Sequence, residues 1–167
     1  KALIGVLTAL PHGVIAMSRD LVGLTESSTN LAVVNTKDSS VEITTSSRSS
    51  VGPALRAVLD QGNAVFTLAG VEYQEIGLYP GWQPNMASQV LANCKTVFKS
   101  LYNKEPKITA IHAGLECGII GEKLGGNVDM ISYGPQLEGV HAPGEKVCIS
   151  SVARFWEFHK SLLKSLK

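Results

Sequence analysis

Cysteine, charge imbalance and long apolar runs are all scarce in this chain, and each scarcity removes a class of protein. The three cysteines, Cys94, Cys117 and Cys148, are odd in number and show no CxxC spacing. They suggest neither a disulfide framework nor a cysteine zinc site, and a reducing compartment is the simplest reading. Fifteen basic and 14 acidic residues leave a net charge of +1. The basic residues are scattered apart from a mild cluster over 160–167, so the electrostatic footprint of a nucleic-acid-binding face is missing. That cluster reads as the solvated side of a helix near its negative dipole end. No apolar run approaches the roughly 20 residues a membrane span requires, and no charged-then-apolar leader opens the sequence. Internal repeats and low-complexity stretches are lacking too. What is present, 44% apolar residues in a chain of 167, suffices for one ordinary domain or two small lobes with a buried core.

Periodicity resolves those residues into two lobes. Leu3, Ile4, Leu7 and Leu10 form a helical stripe that starts at Lys1 with no Ser, Thr, Asp or Asn cap ahead of it, as if the chain were cut within a helix. Asn30 to Val34 predicts a strand, 35–40 a turn, and Val41 to Thr45 the partly buried strand that returns from it. Pro53 opens a second helix through Ala54, Leu55, Val58 and Leu59, with Gly62 as its stop. Val71 to Ile76 predicts another strand. Helix, strand, strand, helix, strand is the greater part of a ferredoxin-like α/β sandwich. Glycine and proline between Gly77 and Pro84 set the boundary, giving lobes at 1–78 and 79–167. In the second lobe Ala87, Val90, Leu91, Cys94, Val97, Phe98 and Leu101 stripe a helix that Pro106 ends. A strand to Ile111, a short glycine-rich helix and a strand from Val128 to Ser132 follow. Ser150 or Ser151 caps a last helix whose Val152, Phe155, Trp156, Leu162 and Leu163 face inward. Strands separated by helices favour parallel pairing through crossovers.

The densest chemistry lies in Ile111-His112-Ala113-Gly114-Leu115-Glu116-Cys117-Gly118 and in Val140-His141-Ala142-Pro143-Gly144-Glu145-Lys146. The first lies at the end of a predicted strand, where α/β proteins keep their chemistry. The second holds an imidazole in a Gly/Pro-constrained loop ahead of the last helix. With Leu7-Thr8-Ala9-Leu10-Pro11-His12-Gly13-Val14, Tyr79-Pro80-Gly81-Trp82-Gln83-Pro84 and Met130-Ile131-Ser132-Tyr133-Gly134-Pro135, these segments resemble the aminoacyl-histidine dipeptidases. That family belongs to the dinuclear zinc exopeptidase group, which includes carnosinases and carboxypeptidase G. The resemblance runs along most of the chain but is to the C-terminal portion of longer enzymes, so the missing leader carries no weight. It implies an α/β fold made of part of a ferredoxin-like lid and dimerisation lobe followed by the C-terminal part of a zinc-exopeptidase catalytic domain. It further implies a dimer that hydrolyses Xaa-His dipeptides with water held between two zinc ions and a glutamate general base, while the cysteine usage makes the cytoplasm the expected location. The piece by itself is expected to be inactive, because most metal ligands and the base belong upstream.

Residue by residue, Gly139 to Glu145 matches the family's Gly-x-His-Ser/Ala-Pro-x-Glu segment, so the resemblance makes His141 a zinc ligand. Neutral imidazole suits zinc, and rigid flanks limit the entropy lost in holding it. The other donors of such a centre would come from the missing N-terminal portion. Arg48 is expected to bind the substrate's C-terminal carboxylate from the lid, since a guanidinium fork grips a carboxylate bidentately. Its serine-rich flanks depart from the family's more apolar ones. Gly114 is expected to bring backbone N–H groups to the substrate, with His112 and Glu116 beside it. Without the resemblance these are equally a turn glycine and a first-turn acid. His12, His159 and Trp82 read as structural. Cys117 with His112 would make a thiol hydrolase, although a small residue packing the turn is the plainer reading of Cys117. The implied partners are a dipeptide, the N-terminal portion and a second copy through the lid, with no nucleic acid and no membrane. The alternative is an inert dimerisation or structural module that pairs through a sheet edge or helix face.

Overall fold

The computed structural model describes residues 1–112 and 115–166, and they fall into two compact units. In chain order the elements are α1 (Ala2–Ala9), β1 (Gly13–Met17), β2 (Thr25–Thr36), β3 (Val41–Ser49), α2 (Gly52–Leu68), α3 (Gln89–Tyr102), α4 (Glu116–Lys123), β4 (Leu137–Glu138), β5 (Lys146–Val147) and α5 (Ile149–Ser165). Lys1–Pro84 with Ala110–Gly126 make the first unit, and Asn85–Thr109 with Asn127–Lys167 make the second. Among the described residues no helix is long and apolar enough to cross a membrane.

In the first unit β1, β2 and β3 form an antiparallel sheet in that order. The turn between β2 and β3 closes where Lys37 N–H donates to the Ser40 carbonyl at 2.8 Å. Burial along β3 then alternates residue by residue, which is the period-2 signature of a sheet with one covered face. At one end of that face Leu31 and Ile43 pack with Val65 and Tyr73 on a core of Val6, Leu10 and Phe66. At the other end the covered residues are hydroxyls. Ser27 lies opposite Ser49 and Thr29 opposite Ser47, each pair joined Oγ to Oγ (Oγ1 in threonine) at 2.8 Å. Burying a hydroxyl is costly only when it lacks a partner, so this ladder makes a serine-rich strand pair compatible with a core.

Several expectations are corrected here. α2 does not stop at Gly62 but runs to Leu68. An interior glycine costs only about 1 kcal/mol, less than burying Phe66 returns. β1 was not expected and adds a strand to the sheet. Val71 to Ile76 forms no regular element and joins no ladder. Side chains hold it instead: Tyr73 stacks on Phe66 with ring centroids 5.7 Å apart, and Arg56 Nη1 donates to Glu75 Oε2 at 2.9 Å. The observed order is therefore helix, three strands, helix.

The second unit is built on α3 packed against α5, with Cys94, Phe158 and Leu162 buried between Val97, Phe98, Tyr102 and Ile131. Two side chains hold the start of α3: Ser88 Oγ accepts from Leu91 N–H at 2.9 Å and Asp129 Oδ2 from Val90 N–H at 3.0 Å. α5 begins after Cys148, ahead of the two serines expected to cap it. Ser151 donates to the Cys148 carbonyl and accepts from Gln136 N–H, tying the preceding hairpin to the helix. The expected strands at 108–111 and 128–132 form no regular element and have no ladder partners. A strand exists only where a neighbour completes its backbone hydrogen bonds. Among the described residues the sheet of this unit is the antiparallel β4–β5 hairpin, so the expected parallel crossover is not found.

Candidate functional site

The uncovered face of β2–β3 carries the first group of polar residues. Ser28 and Arg48 are direct cross-strand partners. His112, 84 residues along from Ser28, brings its Nε2 to 2.6 Å from the Ser28 Oγ. Burial pushes the His112 pKa below its ordinary value and the positive charge of Arg48 adds to the shift, while a hydrogen bond to the Thr25 backbone opposes both. Arg48 is exposed and forms no ion pair among the described residues. A half-buried neutral imidazole, a hydroxyl and an unneutralised guanidinium suit an anion with one charge.

Two glycines explain how His112 arrives there. A Cβ on Gly81 would lie 2.4 Å from the Ser49 carbonyl oxygen, and one on Gly118 would lie 2.6 Å from that of Pro80. The 79–82 segment therefore packs its backbone on the end of β3, and α4 packs its backbone on that segment. This stacking is why 110–126 lies with the first unit, although the sequence boundary assigned everything beyond 78 to the second lobe.

His141 occupies the loop between β4 and β5 in the second unit. Its φ is +63°, a left-handed conformation that costs a residue with a Cβ about 1–2 kcal/mol. The loop is braced from within: His141 N–H donates to Glu145 Oε2 at 3.2 Å, Ala142 N–H to the Gly139 carbonyl at 3.0 Å and Glu145 N–H to the Ala142 carbonyl at 3.1 Å. The residue is exposed. An imidazole held out on a braced turn fits one donor position of a zinc centre. Among the described residues no three His, Cys, Asp or Glu side chains gather into a metal-binding group.

Glu116 is the exposed first residue of α4, where the helix dipole favours an acid. Gly114 lies outside the described residues. The Cys117 thiol is pushed up by burial and by the charge of Glu116, which opposes the thiolate a nucleophile needs. His12 Nδ1 accepts from Leu31 N–H at 3.1 Å, and His159 meets the Tyr133 hydroxyl at 2.6 Å while stacking on Phe155. Trp82 is half-buried. Sequence reasoning missed Ser28, which no motif marks, and Asp129, whose only signal was an acid three residues beyond paired glycines.

No family model matches the chain. Its sequence is 39% identical over 163 residues to the cytosol non-specific dipeptidase of Escherichia coli (strain K12), covering 98% of this chain and 33% of that protein. The crystal structure of aminoacylhistidine dipeptidase from Vibrio alginolyticus aligns with a TM-score of 0.85 at 36% identity, again over 98% of this chain and 33% of the other. The aminopeptidase PepT from Bacillus cereus ATCC 10987 aligns with a TM-score of 0.76 over 99% of this chain and 44% of that one. At 16% identity that likeness is one of fold alone. The chain spans about a third of the length of the two dipeptidases it matches.

Proposed function

We propose, from homology to the aminoacyl-histidine and cytosol non-specific dipeptidases over about a third of their length, that this chain is the C-terminal portion of a cytoplasmic, zinc-dependent dipeptidase acting on Xaa-His dipeptides. In this reading 1–78 is part of a lid and dimerisation lobe, and 79–167 is the end of the catalytic domain. The convergence of Arg48, Ser28 and His112 on one sheet face is the observation that carries it. Arg48 anchors the free carboxylate of the dipeptide, and His112, Gly114 and Glu116 hold the peptide beside it. Their work is positioning, which lowers the entropic part of the barrier. His141 contributes one imidazole to zinc, and the remaining donors and the general base come from the N-terminal portion. Zinc, when bound, supplies Lewis acidity at the scissile carbonyl and acidifies the attacking water.

Exposed area supports a missing partner. The chain exposes 11782 Å², whereas two separate lobes of its mass would expose about 9,600 Å² in all. The excess of about 2,000 Å² on one side is above the roughly 800 Å² per partner of a standard interface and corresponds to an obligate one of about 4,000 Å² in total. A second reading, an inert module pairing with its own copy, draws on Val14, Ile15 and Met17, which are exposed on the edge strand β1. Co-expression with the N-terminal portion separates the two. The dipeptidase reading expects a complex with about two zinc ions per copy that cleaves Xaa-His dipeptides; a zinc-free homodimer without activity would replace it with the module.

A further inference from the structure

We infer that Ser28 is a positioning residue of the carboxylate site, its hydroxyl fixing His112 as a neutral imidazole protonated at Nδ1 and leaving Arg48 to supply the positive charge. This rests on the carboxylate reading proposed above. Three observations lead to it. The Ser28 Oγ is 2.6 Å from His112 Nε2. The ring also hydrogen-bonds the Thr25 backbone, in the sense that favours the protonated nitrogen, so the ring donates there. With Nε2 taken by Ser28, the nitrogen that donates to the Thr25 carbonyl is Nδ1, and Nε2 presents a lone pair that the serine O–H fills. An imidazolium would satisfy Thr25 equally well, but burial and the charge of Arg48 both oppose it.

The third observation is that Ser28 lies directly across the strands from Arg48. One residue therefore lies opposite Arg48 in the sheet and sets the state of its neighbour. A neutral His112 keeps the pair at a single positive charge, matched to one carboxylate. A charged His112 would repel Arg48 and spread the guanidinium over other positions. The hydroxyl thus decides how well Arg48 is presented, without touching the substrate.

The test uses this chain, labelled with ¹⁵N, and reads the imidazole nitrogens of His112 and the Arg48 Nε–H during an acetate titration. Wild type is expected to show the Nδ1–H tautomer, Ser28→Ala a mixture of protonation states, and Ser28→Thr the wild-type pattern. The acetate dissociation constant is expected to rise about three- to tenfold in Ser28→Ala and to change less than about twofold in Ser28→Thr. Amide spectra check that each variant is folded. A wild-type ring protonated at Nε2, or a Ser28→Ala variant with unchanged tautomer and affinity, overturns the role of Ser28. The carboxylate reading fails separately: wild type that ignores acetate, or Arg48→Gln that binds it equally well, sinks that reading whatever the tautomer shows.

Discussion

Arg48 and His141 are the two residues with the clearest expected roles, and the structure treats them differently. Around Arg48 the sheet register, a cross-strand serine and a histidine from a distant segment converge within one unit. Around His141 a seven-residue loop between β4 and β5 spends its internal hydrogen bonds on holding one exposed, strained residue. The contrast separates recognition from chemistry. An anion can be recognised by groups that a single small lobe assembles, whereas a zinc centre needs donors from several segments, and the proposed reading takes only His141 from this chain. A histidine kept at positive φ where glycine would be comfortable is stability given up for the ring.

The sharpest way to break this contrast is to remove the ring. If the proposed complex with an N-terminal portion forms and holds zinc, His141→Ala should lower its zinc affinity and hydrolysis by about 100-fold or more, since even partners that only orient a ligand are worth 10–100-fold. In the chain alone His141→Gly should raise stability by ~0.5 kcal/mol, the strain relieved exceeding the entropy added to the unfolded chain. Denaturant unfolding beside metal analysis reads both, and a destabilised, zinc-competent His141→Gly would contradict them.

Next in size is Gly81→Ala. Its Cβ would collide with the Ser49 and Ser50 backbone, which should cost the first unit about 1–3 kcal/mol and displace His112 from Ser28. Thermal unfolding and the His112 spectrum report the two effects, and an unchanged midpoint would mean the stacking is slack. Ser49→Ala should cost about 1–2 kcal/mol by taking a partner from the Ser27 hydroxyl and from the Val51 N–H, while the Ser27→Ala, Ser49→Ala double variant should recover the Ser27 part of it. Additive losses in that cycle would count against the hydroxyl ladder.

Acid gives the smallest effect, and it distinguishes the units. The folded His112 pKa is depressed, so its contribution is full above the ordinary histidine value of 6.5 and lost as pH falls through the folded one. Asp129 is depressed by hydrogen bonds from the Ser88 hydroxyl and the Val90 N–H, so its contribution is full above 3.8 and lost only below it. Acidification should therefore weaken the first unit before the second, and His112→Gln should remove the earlier step. Amide exchange followed between pH 7 and 3 checks the order of loss.

The helices were legible because their evidence is local. The stripe from Val90 to Leu101 announces α3, and alternation around Val41 to Thr45 announces β3. Pairing was not legible. Val71 to Ile76 and Val128 to Ser132 have strand composition, but a ladder is decided by what lies beside them. The same holds at the site. Arg48, His112 and His141 stood out through motif resemblance, yet nothing near Ser28 foretells a histidine 84 residues later. The serines beside Arg48 departed from the family's pattern until the register showed them facing Thr29 and Ser27 across β2. Gly118 likewise reads as a helix residue of poor propensity until the Pro80 carbonyl is found against it.

The most direct test of the account is the zinc content of this chain purified with its N-terminal portion, with and without His141→Ala. The account predicts about two zinc ions per copy in the wild-type complex, loss of zinc and hydrolysis in the variant, and no tight zinc on the chain alone. A variant complex that keeps both ions and its activity, or an isolated chain that holds zinc tightly, would contradict it.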